Sequence, residues 1–141
     1  MSSSSSPSPA EAIRQAREAR AAIVRELATL TEEQCTRPVK WSGLDRNVNF
    51  LLRVLSLHEL DHIQHLQKLL RSRGRSLTEP QILLIKAQTL RAELEATLLS
   101  LTDEEFDTPG AGEGDWTPRQ VLAHLADVDG RYAQLVREAV G

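Results

Sequence analysis

Leucine, isoleucine, valine and alanine recur three and four positions apart along four stretches of the chain, with charged residues filling the positions between. That period is the signature of amphipathic α-helices, each with one apolar stripe to cover. Their starts are marked by capping sequences. Ser8-Pro9-Ala10-Glu11, Thr78-Glu79-Pro80-Gln81 and Thr117-Pro118-Arg119-Gln120 each set a hydroxyl three residues ahead of a Glu or Gln, with proline near the first turn. The hydroxyl can accept from the third amide while the Glu or Gln reaches back. The pattern predicts helices over about 9–30, 44–72, 79–101 and 118–139. No alternating β-branched runs and no Asn-Gly turns stand between them, so no strand is expected. The fold class expected is all-α, an antiparallel four-helix bundle that buries four stripes against one another.

An internal echo divides the helices into pairs. "LATLTEEQCTRP" at 27–38 resembles "LLSLTDEEFDTP" at 98–109, and a Trp-Ser or Trp-Thr pair follows each, at Trp41 and Trp116. In both, a long helix ends, a short turn capped by Thr31 or Thr102 follows, and proline stops it. The expectation is a bundle of two pseudo-repeated helix–loop–helix halves. Residues 1–8, rich in serine and proline, read as a disordered lead-in; 9–141 read as one domain.

The second helix breaks its own pattern in "HELDHIQH", where His58, His62 and His65 fall on the stripe of Leu51, Leu55 and Leu69. Residues four apart share a helix face, and residues seven apart nearly overlie. Imidazoles on a core stripe need partners for both ring nitrogens. A metal ion satisfies one nitrogen from each of several histidines, and the i, i+4 spacing lets two reach one ion. A zincin protease motif is excluded, because His62 comes one position late for His-Glu-x-x-His. The fourth histidine, His124, shares a stripe with Val121, Val128 and Leu135 on the last helix. All four would converge if those two helices are neighbours; a plain bundle with polar core residues is the alternative. Asp61, Asp127 and Asp129 are candidates to hold a ring N–H, though acids at such positions more often form a solvated face.

Composition narrows the function. A net charge of −3 leaves no basic surface for nucleic acid. The run Arg71-Ser72-Arg73-Gly74-Arg75 reads as a helix C-terminus with glycine at C′. One cysteine, Cys35, excludes an internal disulfide and a thiolate cluster, and is expected to be half-buried and structural. The N-terminal stretch lacks the features of a signal peptide, and no apolar run reaches membrane-spanning length, so a cytoplasmic location is expected, with no membrane partner. Arginine far outnumbers lysine, which fits a GC-rich bacterial source.

With these residues in view, "WTPRQVLAHLADVD" and "HELDHIQHLQKLL" resemble the two histidine signatures of the DinB-like four-helix-bundle superfamily. The resemblance runs from about residue 10 to the end. It implies a three-His divalent-metal site of His58, His62 and His124. The signatures stand in swapped order: the histidine pair comes on the second helix and the tryptophan signature on the fourth, with Asn49 in the place of His124 counted from Trp41. Exchange of two equivalent halves would preserve the site. Three imidazoles leave coordination positions open, the pattern of a catalytic ion. Zinc or nickel is the metal expected.

Some DinB-like proteins are similar to S-transferases and isomerases that use low-molecular-weight thiols such as bacillithiol or mycothiol. The resemblance therefore implies a metal-dependent thiol S-transferase acting on a small-molecule electrophile. His65 is the candidate general base, and a fourth ligand or rim residue are its alternatives. Arg46, Arg53, Arg119 and Arg131 are candidates for an anionic cosubstrate. The resemblance also implies a homodimer. The alternative from another class is a non-catalytic metal-binding or stress-related interaction module.

Overall fold

The computed structural model describes residues 6–141. Its elements are α1 (Pro9–Leu27), α2 (Glu32–Cys35), β1 (Pro38–Trp41), β2 (Leu44–Asn47), α3 (Val48–Ser72), α4 (Glu79–Leu99), α5 (Asp103–Phe106) and α6 (Pro118–Val140). The fold is all-α, of the helical-bundle class, with α1, α3, α4 and α6 as the four long helices. The expected lead-in lies mostly outside the described residues.

Local chemistry explains the helix starts. Thr117 accepts from the Gln120 amide at 3.1 Å, and the Gln120 side chain accepts from the Thr117 amide at 2.8 Å. Thr78 and Gln81 make the same reciprocal pair more loosely, at 3.5 and 2.9 Å. Ser8 accepts from Glu11 at 3.2 Å, but the Glu11 carboxylate turns to Arg14 and Gln15 instead of closing the box. The two echoed turns both form, α2 capped by Thr31 and α5 by Thr102, each with a complete capping box.

After those turns the halves diverge. In the first half Pro38–Trp41 pairs antiparallel with Leu44–Asn47, Trp41 opposite Leu44. Ser42 and Gly43 join the strands with φ of 49° and 77°. Two left-handed residues make the type I′ turn that suits the twist of a hairpin. This corrects the strand-free reading: the dipeptide signal was Ser-Gly rather than Asn-Gly. It also moves a helix start. α3 begins after Asn47, whose side chain accepts from the Phe50 amide at 2.9 Å. Ser42 therefore caps nothing. In the second half the corresponding link is glycine-rich, and Asp115 folds over it to accept from the Gly112 amide at 2.7 Å.

The chain divides into two units, one made of the chain up to Arg25 with Leu94–Gly141, the other of Glu26–Glu93. In the first, Val121, Leu122, Leu125 and Val128 form a half-buried stripe along α6, and Phe106 of α5 is half-buried as well. In the second, β2 and α2 pack on the start of α3, where Phe50 meets Trp41 edge-on at 5.4 Å between ring centroids. Cys35 is free and half-buried there, as expected. Among the described residues no side chain is fully buried. None of the helices among them is long and apolar enough to cross a membrane.

Candidate metal centre

α3 carries its histidines as the 3.6-residue period requires. The Nε2 atoms of His58 and His62 stand 2.9 Å apart, and their rings stack at 4.7 Å between centroids. Two bare imidazole lone pairs at that distance repel, so the gap calls for a proton or a cation. With a proton, one ring donates to the other. A cation fits equally: two nitrogens about 2.05 Å from one ion, a right angle apart, stand about 2.9 Å from each other, and a tetrahedral angle opens this to about 3.3 Å. The pair thus fits two adjacent positions on one divalent ion.

His65 continues the row, its ring 6.3 Å from that of His62 between centroids and inclined by 27°. It shares the stripe without joining the Nε2 pair. All three rings are exposed, which corrects the expectation that they are buried in a core. Their stripe loses cover past the first turns of α3: Leu51 and Leu55 are half-buried, while Leu69 is 41% exposed. Neither Asp61 nor Asp127 accepts a ring N–H among the described residues.

His124 stands in the other unit, on α6. Trp116, immediately before the Thr117 cap, meets it edge-on at 4.8 Å with the planes inclined by 67°. This contact escaped the sequence reading. Its signal is spacing: a tryptophan just outside the cap reaches along the first two turns, as an apolar residue there commonly does. Counted from the helix start, His124 is the seventh residue of α6, and the seventh of α3 is Val54. The hairpin therefore replaces Asn49 by Val54 as the first-half counterpart. Within neither unit do three His, Cys, Asp or Glu side chains gather at one point, among the described residues. The paired imidazoles stand in one unit and His124 in the other.

α5 fixes the approach to α6. Arg119 donates from Nε to Asp107 Oδ1 at 2.6 Å and from a terminal nitrogen to Oδ2 at 3.1 Å. Its guanidinium also lies 4.9 Å from the Phe106 ring centroid. Arg119 is thereby committed to structure, which removes it from the candidates for an anionic cosubstrate. That hydrogen bond holds the Asp107 carboxyl below the usual carboxylate range. A carboxylate lowered in the folded state stabilises above its unfolded value, and the contribution fades as pH falls through the lowered one. We expect Asp107→Asn to lower the neutral-pH midpoint slightly and, by the same amount, to flatten the acid loss of stability below about pH 4. The carbon shift of the Asp107 carboxyl, followed against pH by NMR, checks this directly. Titration at the ordinary aspartate position would discard it.

Two families match the sequence, one on each half. The DinB superfamily matches residues 2–66, which include the hairpin and all three α3 histidines. The mycothiol maleylpyruvate isomerase N-terminal domain matches residues 87–141, which include Trp116 and His124. The class these features define is a helical protein with paired imidazoles on one long helix and a single imidazole on another. Over its first half the chain is similar to the DinB superfamily. No curated protein and no solved structure matches.

Proposed function

We propose that this chain is a divalent-metal protein of the DinB-like class that acts as a thiol S-transferase or isomerase on a small electrophile, with His58, His62 and His124 as metal ligands. The observation that carries the reading is the Nε2 pair at 2.9 Å, whose separation matches adjacent positions on one ion. The match of residues 87–141 to a domain named for mycothiol-dependent isomerisation supports the thiol. When bound, a zinc or nickel ion supplies Lewis acidity, which lowers the pKa of a coordinated thiol. The chain's own residues do the rest. The helix holds His58 and His62 in register, Trp116 packs edge-on against the His124 ring, and His65, exposed one turn on, would take the proton.

Elemental mass spectrometry of the purified protein tests the ligand set. Near-stoichiometric zinc or nickel is expected in the wild type, with loss of it in both His58→Ala and His124→Ala. A wild type that stays metal-free after incubation with both ions would end the proposal. Metal bound by a wild type that shows no thiol transfer to any electrophile in a panel would favour the non-catalytic module instead.

A further inference from the structure

The end of α3 builds a second site. Gly74 has a φ of 65°, its amide donates to the Arg71 carbonyl at 3.0 Å, and the Arg75 amide donates to the Leu70 carbonyl at 3.0 Å. These two bonds make a complete Schellman motif, which turns the chain back on the last turn of the helix. An apolar residue at the C″ position commonly lies against the C3 residue in this motif. Here C″ is Arg75 and C3 is Leu70. The apolar slot is left open, as a cavity of about 270 Å³ walled by Leu77 and Ile82 as well as Leu70. The motif also carries Arg75 back to Arg71, and both line the cavity, with Gln67 and Ser76. Neither arginine has an acidic partner among the described residues.

Complementing the helix dipole does not need this arrangement, because the motif already satisfies the terminal carbonyls of Leu70 and Arg71. We infer that the α3–α4 corner binds a small amphipathic oxyanion, a carboxylate or phosphate monoester with a short apolar body. The guanidiniums of Arg71 and Arg75 take the anion in forked hydrogen bonds. Leu77 and Ile82 cover the apolar part, and Gln67 and Ser76 supply neutral hydrogen bonds. The site stands apart from the paired histidines and does not depend on their metal.

Phenyl phosphate is the probe, titrated into the full-length protein by NMR or calorimetry. Saturable binding is expected, about tenfold tighter than for inorganic phosphate or benzyl alcohol, since each of those lacks one half of the ligand. Arg71→Ala and Arg75→Ala should each weaken it about tenfold, with helix content unchanged by circular dichroism. Arg73→Ala, in the same basic run but not lining the cavity, and His58→Ala should leave it intact. Equal loss in Arg73→Ala would reduce the effect to diffuse charge and overturn the site. So would inorganic phosphate binding as tightly as phenyl phosphate. Binding to phosphatidic acid vesicles without saturable phenyl phosphate binding would overturn the soluble ligand in favour of a lipid headgroup.

Discussion

Nickel at a hundredfold excess over its dissociation constant should stabilise the fold by about 2.7 kcal/mol, a rise of roughly 8 °C in the thermal midpoint. The reason is mass action: the folded helix holds two imidazole nitrogens 2.9 Å apart, and an unfolded chain does not. His62→Ala removes one of the two. A hundredfold loss of affinity would leave only about 0.4 kcal/mol at the same nickel concentration, close to no shift. His65→Ala should keep most of the rise, because its ring stands outside the pair. Loss of the rise in that variant would make His65 a ligand and remove it as a base. No rise in the wild type at any nickel concentration would leave a proton, not an ion, as what joins His58 to His62. Scanning calorimetry or a dye-based melt reads all three.

A second large effect is optical. Trp116 lies 4.8 Å from the His124 ring, so nickel held by that ring stands beside an indole. Trp41→Phe leaves Trp116 as the one tryptophan emitter. In that background nickel should quench the greater part of the emission, while zinc, with a filled d shell, should quench little. Adding His124→Ala should restore it. Full quenching in the absence of the imidazole would mean that the ion does not use His124. No quenching in the parent, with metal demonstrably bound, would place the ion away from α6 altogether.

Much of the architecture is legible because helix starts are local. Thr31, Thr102 and Thr117 each find their partner three residues away, so the bonds seen between them are those the spacing calls for. The His58–His62 pairing is legible for the same reason, since a single helix fixes it. The hairpin was not. Ser42 accepts a φ of 49° only because the strands on either side pair, and no residue of that turn carries the Asn-Gly mark. Its omission shifted the register of the first half and put Asn49 where Val54 belongs. The bidentate hold of Arg119 on Asp107 was equally hidden. It joins residues twelve apart across a loop, and nothing in either residue's neighbours announces it. Exposure of the histidines is a matter of packing between elements, which periodicity along one helix cannot express.

The Thr117 cap has a consequence for how this protein can change over evolutionary time. Because the capping box decides where α6 begins, the direction of His124 is set by the seven residues that follow the cap. One residue inserted between Thr117 and His124 would turn the imidazole by about 100° around the helix, away from the indole beside it. One residue inserted before Trp116, in the glycine-rich link, would leave cap, indole and imidazole in register with one another. Homologous chains should therefore vary freely in the length of that link and hardly at all between the tryptophan and the histidine.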